Sequence, residues 1–144
     1  MLSTPCLLLQ ELGLLGCHVT PAGLAALPSP PLTSLIATHC GTLASDKGCA
    51  QVAGYAATLA ELELRAAGAQ LTDAGLAALA GCGKLRVLDI TGSSVTSEGL
   101  RAFAASPAGR SLELLGVESC RSLDRPTRAA AAGGWRALRT HLQQ

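Results

Sequence analysis

The stretch Leu71-Thr72-Asp73-Ala74-Gly75-Leu76-Ala77-Ala78-Leu79-Ala80-Gly81-Cys82-Gly83-Lys84-Leu85-Arg86-Val87-Leu88-Asp89-Ile90 joins two patterns of different period. In its first half Thr72, Gly75, Leu76 and Leu79 fall at helical spacing. In its second half Leu85-x-x-Leu88-x-Ile90 alternates as a short strand does. Both halves recur along the chain. The strand half returns as Leu9/Leu12/Leu14, Leu32/Leu35/Ala37, Leu59/Leu62/Leu64 and Leu112/Leu115/Val117. Its second position falls at 12, 35, 62, 88 and 115, a period of 23 to 27 residues. The helical half returns as Thr20/Gly23/Leu24/Leu27, Ser45/Gly48/Cys49/Val52 and Thr96/Gly99/Leu100/Phe103.

A fixed period in this range is the mark of a stack of like units, each burying its apolar side on the next. The expected fold is therefore α/β: a solenoid of about five strand–turn–helix units, with a parallel sheet on the concave face and helices on the convex one. A parallel sheet needs such crossovers, and the helices supply them. The units are expected near 6–31, 32–58, 59–84, 85–111 and 112–134, with a partial unit at 135–144, all in a single domain spanning 1–144. The Thr or Ser hydroxyl is positioned to cap each helix start, and Pro21 fits a first helical position. Gly in the first turn is read as letting the helix start sit close against the preceding strand. In the fifth unit Asp124 takes the cap position. Trp135-x-x-Leu138-x-x-x-Leu142 is expected to close the far end.

The same stretch, with Cys17, Cys40 and Cys120 in the other units, resembles the cysteine-containing class of leucine-rich repeat. That class is best known from F-box leucine-rich-repeat proteins, the substrate receptors of cullin-type ubiquitin ligases. The resemblance covers about residues 6 to 142 and implies a protein-interaction module, with substrate recognition for a ubiquitin ligase as its finer form. Two features depart from it. No F-box segment precedes the first unit, and that unit lacks a capping element, so the chain is expected to be a piece of a longer protein or to be completed by a partner. The rival family, regulators like the ribonuclease-inhibitor and Ran-GTPase-activating repeat proteins, has longer units with Asn at the ladder position, and this chain contains no Asn. A truncated copy without a function of its own stays open as a further alternative.

Composition narrows the rest. The chain has 144 residues, 49% of them hydrophobic, with one Phe, one Tyr and one Trp, so the core must be aliphatic. The net charge of +1 provides no basic field for nucleic acid, and few aromatics provide no stacking platform. No apolar run is long enough to span a bilayer. The leucines near the start fit the repeat register without a basic stretch before them, and no Asn is available for glycosylation, so a cytoplasmic or nuclear location is expected. The six cysteines fall in repeat register: Cys17, Cys40 and Cys120 share one place with Ala67 and Ser93, Cys6 and Cys82 share another, and Cys49 replaces a core leucine. They are read as small buried residues. A zinc site from Cys17, His18, His39 and Cys40 is the sharper alternative, but neighbours in an extended segment point to opposite faces. A Cys17–Cys40 disulfide is geometrically nearer, yet unexpected in a reducing compartment. No catalytic motif is present, so neither enzymatic activity nor a cofactor or metal is expected.

Binding is expected on the strand residues between the core leucines: Glu11, Leu15, Ile36, Glu61, Glu63, Arg65, Val87, Asp89 and Glu118, with Gly13, Ser34, Thr38, Thr91, Leu114 and Gly116 between them. This acidic strip with scattered aliphatics suits a protein partner bearing a basic and apolar segment. Arg101, Arg110, Arg121, Arg125, Arg128, Arg136 and Arg139 crowd the C-terminal third. They are read as solvating the terminal units, with a second contact site as the alternative.

Overall fold

The computed structural model describes residues 9–26 and 32–144. The readings of Cys6 and Leu27, and the limits of the first unit, concern residues outside that range. Five strands, β1 (Glu11–Leu15), β2 (Ser34–Thr38), β3 (Glu61–Arg65), β4 (Val87–Asp89) and β5 (Leu114–Gly116), form one sheet in sequence order. Every pairing is parallel, with Leu12, Leu35, Leu62, Leu88 and Leu115 in one row across it. Helices α1 (Pro21–Ala25), α2 (Asp46–Val52), α3 (Asp73–Ala78) and α4 (Ser97–Ala104) return the chain between strands, and α6 (Arg125–Ala131) and α7 (Trp135–Leu142) follow β5.

The alternation within each strand decides which face is buried. Leu35, Leu62, Leu64 and Leu88 are fully buried, whereas the residues between them are partly or fully exposed. From the helices, Leu24, Cys49, Val52, Leu76, Leu79, Leu100 and Phe103 fill the same core. The far end is closed as expected: Trp135, Leu138 and Leu142 are buried, and Trp135 packs on Phe103 with ring centroids 6.4 Å apart. The Trp135 indole N–H donates to the Gly109 carbonyl at 3.2 Å, so burying it leaves no unpaired donor.

A second helix in the fourth unit, α5 (Pro107–Ser111), was not expected from the sequence. Its signature is the one read at Thr20: Ser106 accepts from the Gly109 N–H, and Pro107 stands at the first helical position. The anticipated caps at Thr20, Ser45, Thr72, Thr96 and Asp124 all accept from a backbone N–H two or three residues on.

At Gly48 a Cβ would collide with the Leu43 backbone, so that glycine does let its helix start approach the chain leading from β2, but Gly75 and Gly99 act differently from the expectation that they bring the helix against the strand. A Cβ at Gly75 would stand 2.6 Å from Asp46 Oδ1, and one at Gly99 would collide with the Asp73 carboxylate. The space they leave is occupied by the aspartate of the unit before. Asp46 accepts from the Thr72 N–H (2.8 Å), the Thr72 hydroxyl (2.7 Å) and the Gly75 N–H (2.9 Å). Asp73 accepts from the Thr96 N–H (2.7 Å) and the Thr96 hydroxyl (2.6 Å). Each aspartate thus ties its own helix start to the next, satisfying N–H groups that a helix leaves free.

Just beyond each strand, Gly16, His39, Ala66, Gly92 and Ser119 all have positive φ. This left-handed step costs little at Gly and more elsewhere. It turns the chain so that the next residue, Cys17, Cys40, Ala67, Ser93 or Cys120, faces the core.

Candidate interaction face

One side of the sheet carries the helices. Among the described residues no element covers the other. Parallel register assembles the residues there into rows. The first row runs Glu11, Ser34, Glu61, Val87, Leu114, and the second Gly13, Ile36, Glu63, Asp89, Gly116. A third begins Leu15, Thr38, Arg65. It continues through Thr91 and Glu118, since the Ala66 N–H donates to the Thr91 carbonyl and the Gly92 N–H to that of Glu118. All nine residues expected to bind a partner therefore lie on one face. Leu15 and Leu114, 74% and 62% exposed, are large apolar side chains left open to solvent at its two flanks. Ile36 and Val87 are half-buried between their neighbours.

The charge of this face differs from a simple acidic strip. Arg65 bridges Asp89 at 2.7 Å and Glu63 at 3.2 Å. Asp89 is further committed, accepting the Thr91 N–H at 2.9 Å. Two of the five carboxylates thus share the one arginine, because parallel register sets residues 63 and 89 side by side with 65 one pleat further along the same face. The cluster of Glu63, Arg65 and Asp89 keeps one net negative charge, and Glu11, Glu61 and Glu118 carry the rest. Glu61 accepts only a long bond from the Ser34 hydroxyl, at 3.3 Å.

The ladder behind the face is made of small groups. Cys40 and Cys120 are buried and Cys17 is half-buried, all three as free thiols. Each of the three donates to a backbone carbonyl: Cys17 to Leu15 at 3.3 Å, Cys40 to Thr38 at 3.5 Å, and Cys120 to Ile90 at 3.4 Å. Cys120 also meets the Ser93 hydroxyl at 3.4 Å. His18 and His39 are exposed, on the other side of the chain from Cys17 and Cys40. Among the described residues no three His, Cys, Asp or Glu side chains gather as metal ligands. Burial, then the neighbouring Asp46 and Cys82, pushes the Cys49 thiol up to about 12, and burial raises Cys82 as well. Both are core groups in their neutral form. No described helix is long and apolar enough to cross a membrane.

None of the curated proteins compared with the chain matches it. Residues 81–104 match the family model described as Leucine Rich repeat. The matched segment runs from the turn before β4 through that strand to the end of α4, one full strand–turn–helix unit. With four further units built on the same lines, it supports a leucine-rich-repeat family for this chain, and with it a protein-interaction module.

Proposed function

We propose that the chain is a leucine-rich-repeat solenoid whose sheet lines the concave side of a curved stack, and that it recognises another protein there without chemistry of its own. The observation that carries this reading is the uncovered sheet face, on which register gathers exposed Leu15 and Leu114 and three glutamates that form no ion pair among the described residues. Such a face suits a partner segment that brings cations to Glu11, Glu61 and Glu118 and apolar side chains to the flanks. The resemblance to the cysteine-containing repeats extends the proposal to substrate recognition of the kind performed by F-box leucine-rich-repeat subunits of ubiquitin ligases, in the cytoplasm or nucleus.

The test compares the wild-type chain with Glu11→Lys/Glu61→Lys. Both positions lack an ion pair among the described residues, so the fold should lose little. Proteins retained from a lysate are identified by mass spectrometry, and each is then titrated as purified protein. A partner bound at least about tenfold more weakly by the charge-reversed chain supports the reading, tenfold being about 1.4 kcal/mol. Equal affinity for both chains moves binding off this face. Ligase subunits among the retained proteins would support the receptor role, and their absence beside a validated partner would leave a repeat module of another pathway.

A further inference from the structure

A second surface lies away from the sheet, where α5 and α7 meet. Arg110 on α5 and Arg136 and Arg139 on α7 line an open cleft of about 490 Å³. Arg136 and Arg139 share a helix face because they are three residues apart. None of the three forms a salt bridge within the described residues. The one acidic residue lining the cleft, Glu113, is held in a two-point pair by Arg86, at 3.1 and 2.9 Å. The Arg139 Nε is buried and has no hydrogen-bond partner. A buried guanidinium N–H left unpaired is costly, but the donors an anion in the cleft would meet first are those of Arg110 and Arg136, which are exposed. Trp135 borders the same cleft, with its ring almost wholly buried.

From this arrangement we infer that the cleft is a docking site for an acidic peptide segment of a protein partner, distinct from the sheet face. Three arginines from two helices spread their donors over a cleft far larger than one ion requires, which fits several carboxylates in a row. A nucleic acid fits less well: Trp135 turns its indole into the core, leaving no exposed ring for a base to stack on. The charge that appeared in the sequence as solvation of the terminal units is, for these three residues, an unpartnered cationic wall.

Trp135 is the only tryptophan, so its emission reports on the cleft directly. The test titrates the full chain at low salt with a hexaglutamate peptide and with a hexalysine peptide. Hexaglutamate should shift the emission saturably and hexalysine should not. Arg110 and Arg136 are both exposed, so Arg110→Gln/Arg136→Gln should fold as the wild type, which a circular dichroism melt verifies. It should bind hexaglutamate at least about tenfold more weakly, since charge-assisted pairs are lost. Arg121→Gln/Arg125→Gln removes the same charge outside the cleft and should change affinity less than about threefold. Equal weakening by the two double variants would reduce the effect to diffuse charge attraction and overturn the site, as would the absence of any saturable shift. Inorganic phosphate binding more tightly than hexaglutamate would overturn the carboxylate assignment.

Discussion

Asp46→Ala removes the brace between the second and third units, and its cost can be worked from the bonds it breaks. The carboxylate accepts three hydrogen bonds from the next unit, at 2.7 to 2.9 Å. A bond to a charged group contributes roughly 1.5–3 kcal/mol. A simple sum would exceed 4 kcal/mol, but two factors reduce it. Asp46 is only half-buried, so water can replace part of what is lost. Two of the bonds also share one oxygen. A loss of about 3 kcal/mol is expected, a large fraction of the stability of a domain this size. Asp46→Asn keeps an oxygen for the Thr72 and Gly75 N–H groups but loses the charge, and should cost about half as much. The assay is urea unfolding at neutral pH, read from midpoint and slope. A cycle with Thr72→Ala isolates the pair, and a coupling of at least about 1 kcal/mol is expected. A loss under about 1 kcal/mol for Asp46→Ala, or no coupling with Thr72, would refute the brace and make the aspartate an ordinary exposed charge.

Further outcomes follow from the same geometry. Leu88→Ala, at a fully buried position, should cost about 2–5 kcal/mol in the same titration, and a loss under about half a kcal/mol would mean the register is wrong. Gly99→Ala should destabilise strongly by driving its Cβ into Asp73, whereas Gly81→Ala, which meets nothing within 4 Å, should be near neutral. In an Asp73→Ala background Gly99→Ala should cost little more, and additive losses would place the clash elsewhere. The Cys49 thiol, about 12 when folded, ionises near 9 when unfolded, so only the folded chain keeps its proton in between. Stability should be unaffected by this group below pH 9 and fall by up to about 1.4 kcal/mol per pH unit above it. Loss of that extra slope in Cys49→Ala, measured in urea melts from pH 8 to 11, checks the assignment. Amide exchange should be faster for the hydrogen-bonded amides of β1 than for those of β3, and equal protection would deny that the first unit is the less firmly joined.

The sequence made the sheet legible almost residue by residue, because the apolar period in a strand and the lag between units are both fixed by packing. Leu12, Leu35, Leu62, Leu88 and Leu115 align across five strands as their spacing requires. The nine candidate face residues were legible for the same reason, since a pleat leaves no choice of side once its leucines are placed. Interactions between units were harder to read. Arg65 bridges Glu63 and Asp89 across a strand boundary, so a count of charges saw an acidic strip where the structure holds a partly neutral cluster. The register already placed these residues together, and following it for charge as well as for leucines would have found the bridge. The aspartate braces carried a signal too, an Asp directly after the cap at 46 and 73. Its meaning needs the neighbouring unit, because the glycine that makes room for each carboxylate stands 26 or 29 residues away from it. Helix α5 is not signalled by the repeat, because Ser106-Pro107-Ala108-Gly109 falls outside its period.

The braces are not distributed evenly, and that unevenness bears on the sheet face. In a stack of units, stability is the sum of what each unit holds and what each interface adds. The interfaces from β2 to β4 each have an aspartate that ties two helix starts together. At the corresponding place the first helix has Pro21, which has no side-chain acceptor. The fourth has Ser97, whose hydroxyl accepts a single bond from the Asp124 N–H at 3.1 Å. Core burial follows the same gradient at the first unit: Leu12 and Leu14 are half-buried where Leu62 and Leu64 are fully buried. The centre of the uncovered face, with Glu61, Glu63, Arg65, Val87 and Asp89, is therefore carried by the most firmly joined units, and its ion pairs are held in fixed register. Leu15 and Leu114, the exposed apolar side chains, sit on the two less firmly joined flanks. A partner would meet a preorganised polar centre and two adjustable apolar edges, so specificity would come from the first and fit from the second.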